Sequence, residues 1–303
     1  MALLSKPFMR AHFTWNLGRR SLQLGERTLV MGIVNVTPDS FSDGGRFASA
    51  QQAVDHALRL LDEGADILDI GGESTRPGST VGSVSADEEL HRVLPVIEGL
   101  KSSRPEAIIS IDTYKSATAR AAVSAGAEIV NDVSGLRWDD TMAETIAELG
   151  CGCVLMHMRG TPDTWRALES LPDPVELVSR ELREIADQAL LAGIVRERVV
   201  LDPGFGFGKR FDENYPLLAY LDSLHALGFP ILSGTSRKSF LGRTAGARLG
   251  RDLPPGERLS ATIASLTASI LKGAHIVRVH DVKPVVEAVA IADAILRATK
   301  TSE

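Results

Sequence analysis

Short apolar runs alternate with longer amphipathic segments along most of the chain, and glycine often marks the change from one to the other. The pattern Gly-Ala-x-Ile recurs at the starts of segments 64–69, 126–132 and 273–278. Glycine readily ends a helix because it accepts the left-handed backbone conformation without a steric penalty. Each repeat therefore predicts the end of a helix followed by a buried strand.

Eight buried strands are predicted in this way, at about 29–36, 66–71, 107–112, 127–132, 152–157, 198–202, 230–234 and 275–279. Helical periodicity lies between them, for example at 48–63, 87–101, 115–125, 175–192, 260–272 and 283–298. Eight strand–helix units predict an α/β fold, a single-domain TIM (β/α)8 barrel. A doubly wound open sheet is the alternative, but it requires a G-x-G-x-x-G turn after the first strand, which is missing. We place the barrel at 28–299, after an N-terminal prefix (1–27) that looks like a surface segment and before a tail (300–303).

The first predicted strand leads into an unusually long polar loop, from about Thr37 to Phe47. Asn35 stands at the strand's end, and Pro38 and Gly44-Gly45 are typical loop residues. Loops of this kind usually span about 2–6 residues, so a longer one in a compact domain indicates function or disorder.

Composition and charge narrow the possible partners. The chain has 303 residues and a net charge of −6, which gives no reason to expect nucleic acid or an anionic membrane as a partner. No apolar run reaches the roughly 18 residues of a membrane span, and the N-terminus lacks the apolar centre of a signal peptide. Cys151 and Cys153 form neither a C-x-x-C motif nor a zinc site, so we expect two buried, reduced thiols in a cytoplasmic protein.

Polar residues stand at the end of every predicted strand or directly after it, where a TIM barrel carries its active site. They are Asn35, Asp69, Asp112, Asn131 with Asp132, His157, Asp202, Ser236–Ser239 and Arg278–Asp281. Any one of them, Asp69 and Asp132 especially, could be a cap or a turn former. All eight positions at one face of the barrel indicate a functional site.

These polar residues divide into two chemical groups. The short side chains of Asp112, Asn131 and Asp202 can recognise a planar, nitrogen-rich heterocycle through paired hydrogen bonds. A cationic group favours an anion such as a phosphate or diphosphate, and it consists of Arg76, Arg237, Lys238, Arg278 and His280. Asn35 could hold a Mg²⁺ ion that bridges such phosphates, and Ser239 begins a helical stretch whose free N–H groups favour a carboxylate.

The G-x-G-x-G-K run at 204–209 resembles a phosphate-binding loop but lacks the Walker spacing and the following Ser or Thr. We interpret it as a tight turn that places Phe205 and Phe207 in or beside the pocket.

Six segments together carry a family resemblance. Residues 35–45 and 69–78 resemble the two signature segments of the dihydropteroate synthases, and the resemblance extends over about 28–299. Four further segments resemble the same family, and they are 110–113, 131–132, 202–209 and 236–239 with 278–280.

The resemblance implies condensation of (7,8-dihydropterin-6-yl)methyl diphosphate with 4-aminobenzoate in folate biosynthesis, in a Mg²⁺-dependent cytoplasmic homodimer. It implies that the pterin is held by Asp112, Asn131, Asp202 and Lys238. It assigns the diphosphate and its metal to Asn35 with Arg278 and His280, and 4-aminobenzoate to Thr75, Arg76, Phe207 and Ser239. Catalytic roles fall on Asp112, Lys238, Asp43 and Arg76.

In the implied mechanism the amine of 4-aminobenzoate attacks the pterin methylene directly, without a protein nucleophile. Arg278 and His280 with Mg²⁺ stabilise the leaving diphosphate, Asp112 stabilises the pterin cation, and the two long loops exclude water. The alternative is a non-catalytic or methyl-carrier pterin-binding barrel. Such a barrel needs neither Asp43, Arg76 nor Lys238, and all three are present.

Overall fold

A computed structural model describes residues 10–37, 45–74 and 80–300. Its strands, numbered in chain order, are β1 (Phe13–Asn16), β2 (Ser21–Leu24), β3 (Leu29–Asn35), β4 (Ile67–Gly71), β5 (Ile108–Asp112), β6 (Ile129–Asp132), β7 (Gly152–Met156), β8 (Val199–Asp202), β9 (Leu232–Ser233) and β10 (Ile276–Val279). Its helices are α1 (Gly45–Asp62), α2 (Ala86–Ser103), α3 (Ser116–Ala125), α4 (Met142–Leu149), α5 (Pro174–Leu191), α6 (Asn214–Ala219), α7 (Ser239–Gly246), α8 (Leu259–Leu271) and α9 (Val282–Lys300).

Strands β3 to β10 form one parallel sheet in the order β8-β7-β6-β5-β4-β3-β10-β9. A parallel bridge between Leu201 and Ile231 joins the two edges, and the Leu201 amide donates to the Pro230 carbonyl over 3.0 Å. The sheet therefore closes into a barrel surrounded by helices, and the predicted TIM barrel is confirmed.

Side chains inside the barrel change from apolar to polar along several of its strands. An apolar layer fills the N-terminal half and includes Ile67, Ile129, Val200 and Ile276. Since alternate residues of a strand share a face, the residue two positions further along also points inward. Those residues are Asp69, Asn131, Asp202 and Arg278. The strands thus carry polar groups to the C-terminal end of the barrel, on top of an apolar floor.

The N-terminal segment is not a surface prefix, and that expectation was wrong for the residues described. Strands β1 and β2 form an antiparallel hairpin whose Trp15 is fully buried against the apolar layer of the barrel interior. The Trp15 Nε1–H donates to the Arg198 carbonyl over 2.9 Å. The hairpin closes the end of the barrel opposite the polar one. Its two strands of four residues are too short to show a periodic pattern.

Glycine ends the helices where the sequence repeats predict it. Gly126 follows α3 with φ 119°, and Gly273 follows the end of α8 with φ 95°, both in the left-handed region. Two short helices, α4 and α6, have eight and six residues and lie outside the helix ranges predicted from the sequence. No helix in the described ranges is long and apolar enough to cross a membrane.

Both cysteines are buried and unpaired, as expected from their apolar surroundings. Burial raises the pKa of Cys151 to about 11, so its thiol stays protonated and unreactive near neutral pH.

Candidate active site

A cavity of about 460 Å³ opens at the C-terminal end of the barrel. It is lined by Ile33, Asn35, Glu73, Ser74, Asp112, Trp165, Gly206, Phe207, Gly234, Ser236–Ser239, Pro255, Arg258, Arg278 and His280. Its walls come from strand ends and from the loops after them, which is where the sequence placed the site.

An arginine shared by two carboxylates forms the centre of the site. Arg278 donates from Nε to Asp69 and from an Nη atom to Asp112, each over 2.6 Å. Asn131 donates to the same oxygen of Asp69 over 2.9 Å. Strands β4, β5, β6 and β10 are thereby joined by side-chain hydrogen bonds, and Asp69 orients both Arg278 and Asn131 instead of capping a turn.

Burial and charge act against each other in this network. Burial raises the pKa of Asp112 to about 7 although the positive charge of Arg278 opposes the shift. Burial also opposes the charge of Arg278, but Asp69 and Asp112 outweigh it and raise the pKa of the guanidinium. Arg278 therefore stays cationic at any relevant pH, while Asp112 can exist in either protonation state near neutrality.

Lys238 lies over the ring of Phe207, with Nζ 3.6 Å from the ring centroid. Burial lowers the pKa of Lys238 to about 7, and Asp202 opposes that shift. Asp202 lies directly beside the cavity, since a side-chain carbon added at Gly234 would stand 3.7 Å from its Oδ2. Its Oδ1 accepts the backbone N–H of Gly204 over 2.7 Å.

The glycine-rich segment after β8 is a tight turn, as interpreted from the sequence. Gly204, Gly206 and Gly208 all have positive φ. A Cβ at Gly204 would lie 1.9 Å from the carbonyl oxygen of His157, so only glycine is accommodated there. Lys209 is buried and donates to the carbonyls of His157, Gly204 and Phe207 over 3.2, 2.8 and 3.2 Å. The lysine stabilises the turn from within, and the turn places Phe207 at the cavity.

Phe205 is fully buried in the outer core, so only the second phenylalanine of the motif reaches the site.

The loop between β9 and α7 is held in an uncommon conformation. Arg237 has φ 57°, in the left-handed region that a non-glycine residue rarely adopts. Its N–H donates to Thr262 over 3.0 Å, and its guanidinium pairs in a two-pronged manner with Asp281 over 2.9 and 2.5 Å. Arg258 donates to the Arg237 carbonyl over 2.7 Å. Asp281 therefore offsets part of the charge that the sequence assigned to an anion site.

His280 lines the cavity next to this loop. Its Nδ1 lies 3.0 Å from the hydroxyl of Ser236, and its backbone N–H donates to the same hydroxyl over 3.2 Å. Burial, followed by the charges of Arg278 and Arg237, lowers the pKa of His280 to about 3. The imidazole is consequently neutral at physiological pH.

Tyr114 joins the two described ends of the loop after β4. Its hydroxyl donates to Glu73 over 2.9 Å and accepts the N–H of Gly82 over 2.8 Å. Lys115 donates to Glu73 and, over 3.1 Å, to Glu89. These bonds fix the points at which the loop leaves and rejoins the barrel.

The predicted site residues fall into three groups in the structure. Those that line the cavity are Asn35, Asp112, Phe207, Arg237, Lys238, Ser239, Arg278 and His280. Asn131 and Asp202 are buried next to it through the contacts described above. Asp43, Thr75 and Arg76 lie outside the described residues, and their assignments stay predictions.

Two strand-end groups have structural roles. Asp132 accepts the backbone N–H groups of Ser134 and Leu136 and so forms a turn. His157 is buried and bonded to Glu181 over 3.0 Å. Conversely, sequence reasoning assigned no role to several residues of the cavity wall, among them Glu73, Trp165, Pro255 and Arg258. Trp165 packs edge-on against Phe207 with ring centroids 5.5 Å apart, and only its position after β7 could have indicated it.

The donor groups at the cavity fit a metal ion that keeps most of its own water. No group of three His, Cys, Asp or Glu side chains within the described ranges could hold a metal ion alone. Asn35 lines the same cavity as Arg278 and His280. Magnesium takes few protein ligands and is often bound together with phosphate oxygens, so one amide is compatible with it.

Three comparisons with known proteins agree. The family model described as "Pterin binding enzyme" matches residues 31–280. The dihydropteroate synthase of Clostridium beijerinckii is 42% identical over 282 residues, covering 93% of this chain and 99% of that protein. The dihydropteroate synthase of Bacillus subtilis is 45% identical over 276 residues, covering 91% of each chain.

Solved structures show the same similarity. A Xanthomonas albilineans dihydropteroate synthase with 4-aminobenzoic acid has a TM-score of 0.84 and 44% identity, covering 94% of this chain and 98% of that chain. The same enzyme in complex with 7,8-dihydropteroate gives 0.81 and 43%, covering 93% and 98%.

Proposed function

Because the chain belongs to the family of pterin-binding enzymes, and within it to the dihydropteroate synthases, we infer the following reaction at this cavity. The enzyme is a transferase of folate synthesis that joins (7,8-dihydropterin-6-yl)methyl diphosphate to 4-aminobenzoate. The products are 7,8-dihydropteroate and diphosphate. One structural observation supports this function most directly. Arg278 is held between Asp69 and Asp112 in a cavity that His280 and Lys238 also line.

We propose that Arg278 and His280 bind the diphosphate. Arg278 uses two of its N–H groups on carboxylates, and its remaining donors are available to an anion in the cavity. The neutral imidazole of His280 adds a hydrogen bond without a charge of its own.

The pterin ring is assigned to the carboxylate side of the cavity. Asp112, Asn131 and Asp202 offer acceptors and an amide at the ends of β5, β6 and β8, and Lys238 completes the set. Asp202 is buried and Asp112 is half-buried, and burial raises the pKa of each carboxyl. A buried carboxylate is stabilised by donors, and the N–H groups of a pterin supply them.

We assign 4-aminobenzoate to the part of the cavity between Phe207 and the start of α7. Ser239 is the first residue of α7, whose first-turn N–H groups are free to bind a carboxylate. Phe207 provides an aromatic face for the benzoate ring. Thr75 and Arg76 are assigned to the same substrate by family resemblance.

A Mg²⁺ ion would be held by Asn35 together with the diphosphate oxygens. When bound, it supplies positive charge that favours departure of the diphosphate.

The residues of the chain act mainly through position and charge. The bond between the methylene carbon and the diphosphate oxygen breaks, and its electron pair leaves with the diphosphate. The amine nitrogen forms the new bond to the same carbon and gives up one proton to water. Arg278 and His280 hydrogen-bond to the leaving group, while ionised Asp112 stabilises positive charge on the pterin. Asp43, Arg76 and Lys238 complete the catalytic set by resemblance.

A non-catalytic or methyl-carrier pterin-binding barrel has less support. The close relatives are synthases over almost their whole length, and Lys238 lies within the cavity.

We further propose a cytoplasmic homodimer, as the family resemblance implies. Ile291 and Ile295 lie one turn apart on α9 and are 65% and 46% exposed, which supports an apolar contact between two copies.

The function is tested by a turnover assay with purified enzyme, both substrates and Mg²⁺. The expected result is one diphosphate released for each 7,8-dihydropteroate formed, with activity lost in a chelator and restored by Mg²⁺. Diphosphate release without 7,8-dihydropteroate, or no release at all, would reject the reaction.

A further inference from the structure

Ser236 and His280, which follow the neighbouring strands β9 and β10, contact each other at two points. The backbone N–H of His280 lies 3.2 Å from the Ser236 hydroxyl oxygen, and Nδ1 of the imidazole lies 3.0 Å from it. A backbone N–H can only donate, so the hydroxyl oxygen accepts this bond. Ser236 is buried, with 6% of its surface exposed, so its own proton also needs an acceptor.

Within the described ranges, Nδ1 of His280 is the acceptor that this hydroxyl reaches. When the hydroxyl donates to Nδ1, a neutral imidazole must carry its proton on Nε2. The opposite arrangement, with Nδ1–H donating to Ser236, would leave the buried hydroxyl proton without a described partner. The geometry therefore selects one tautomer and one orientation of the ring.

The selected tautomer suits an anion in the cavity. His280 is neutral, because burial and two neighbouring arginines keep its pKa low. Nε2 makes no hydrogen bond to any described residue, and the imidazole lines the cavity together with Arg278. An Nε2–H donor attracts the oxygen of a diphosphate, whereas a lone pair at that position would repel it.

We propose that Ser236 is a positioning residue, which fixes His280 as the Nε2–H tautomer and aims that N–H at the diphosphate of the substrate. The identity of this anion rests on the proposed function, while the tautomer itself does not.

The first measurement is the ¹⁵N spectrum of histidine-labelled wild-type enzyme without ligands, with His280 assigned through His280→Gln. We expect the shifts of an Nε2–H imidazole whose Nδ1 accepts a hydrogen bond. An Nδ1–H imidazole in the wild-type enzyme would overturn the proposal, and this result does not depend on whether the Ser236 variants fold.

The second measurement is calorimetric titration of inorganic diphosphate with Mg²⁺ into three variants. Ser236→Ala should bind diphosphate about tenfold more weakly, as expected for the loss of one hydrogen bond, and its Nδ1 shift should move. Ser236→Thr keeps the hydroxyl and should restore both readouts. Ser233→Ala is the matched control, because the hydroxyl of Ser233, in β9, pairs with Ser269 over 2.9 Å and contacts no histidine.

Wild-type affinity and an unchanged His280 spectrum in Ser236→Ala would contradict the proposal. An equal loss in Ser233→Ala would also contradict it, since the effect would then come from disturbing the strand. Neither readout requires turnover, so a failure of the proposed reaction is recognised separately, by missing 7,8-dihydropteroate in wild-type enzyme.

Discussion

Asp112 illustrates how single residues serve both the fold and the chemistry. It pairs with Arg278, yet burial raises its pKa to about 7. An ionised Asp112 can stabilise a developing pterin cation, whereas a protonated one cannot. The pKa of Asp112 therefore lies near neutral pH, where a small change in pH alters the fraction of the carboxyl that is ionised.

Asp112→Asn keeps the shape of the side chain and removes its charge. We expect folded protein whose turnover is reduced by about 10²–10³, the usual effect of removing one electrostatic stabiliser. The measurement is steady-state turnover on protein whose fold has been checked by circular dichroism. Near-normal turnover would reject the assignment of Asp112.

The same variant also tests the pH dependence of kcat/KM. Since Asp112 is protonated below its pKa of about 7, kcat/KM of the wild-type enzyme should decrease as the pH falls through that region. Asp112→Asn should lose this acidic limb. Asp132→Asn, at a buried carboxyl that bonds backbone amides, should keep it. An acidic limb that persists unchanged in Asp112→Asn would assign the titration to another group.

Arg278→Ala tests the diphosphate clamp. Charge-assisted hydrogen bonds contribute about 1.5–3 kcal/mol, so we expect diphosphate to bind about 10–100-fold more weakly. A pterin without phosphates should lose much less affinity. Calorimetry with the two ligands measures this difference, and equal losses would show that Arg278 acts through the fold.

Arg278→Ala is also expected to lower the stability of the protein, so this test needs a control variant. Removing Arg278 leaves Asp69 and Asp112 without their cation, and breaking a buried ion pair typically costs about 3–5 kcal/mol of stability. His280→Gln removes a clamp donor without separating any charge pair. It should weaken diphosphate binding while the protein keeps its thermal stability.

Most of the individual site residues could be predicted from the sequence. Polar residues such as Asp69, Asn131 and Arg278 follow an apolar residue by two positions, so a single alternating pattern places them inside the barrel. Their hydrogen-bond partners could not be predicted, because Arg278 and Asp69 are 209 positions apart in the sequence. Burial and pKa likewise depend on which side chains the closed barrel brings together.

At the scale of elements, short connections position the catalytic loops. Tyr114→Phe removes the hydroxyl that links Glu73 to Gly82 on either side of residues 75–79. Because Thr75 and Arg76 are assigned to 4-aminobenzoate, we expect a several-fold higher KM for this substrate and an unchanged KM for the pterin diphosphate. Steady-state kinetics with each substrate varied in turn measures both values.

Tyr215→Phe is the control for this prediction, since its hydroxyl bonds Thr244 over 2.6 Å and does not contact the loop. If the two variants raise the same KM equally, or if Tyr114→Phe has no effect, the link does not position the loop.

The N-terminal hairpin makes a separate prediction. Trp15 is fully buried at the end of the barrel opposite the site, so Trp15→Ala should lower the free energy of unfolding by about 3–5 kcal/mol. Activity at low temperature should be retained. Thermal and denaturant unfolding measure the loss, and a change below about 1 kcal/mol would mean that the hairpin does not close the core.

Element types were predictable where the pattern is long, as in the helices that glycine ends. The hairpin was missed because Phe13–Asn16 and Ser21–Leu24 have too few residues for a periodic signal. Its stability comes from packing against Ile67, Val154 and other residues far along the chain. Such contacts are set by the whole barrel and have no local signature.

At the scale of the whole molecule, the site is assembled from parts that are remote in sequence. Arg278 and His280 belong to the last strand and the segment after it, Phe207 follows β8, and Ser239 begins α7, yet all four line one cavity. Under the proposed assignments, the two substrates lie next to each other in this cavity and share the loops around it. Binding of one should therefore alter the affinity for the other.

In the proposed mechanism, the diphosphate clamp organises the site for the second substrate. The direct measurement is calorimetric titration of 4-aminobenzoate with and without saturating Mg²⁺ and diphosphate. We predict weak binding to the free enzyme and clearly tighter binding with diphosphate present. Reciprocity then requires 4-aminobenzoate to tighten diphosphate binding by the same factor. Equal affinity under the two conditions would contradict the account, because the second site would then be fully formed without the first ligand.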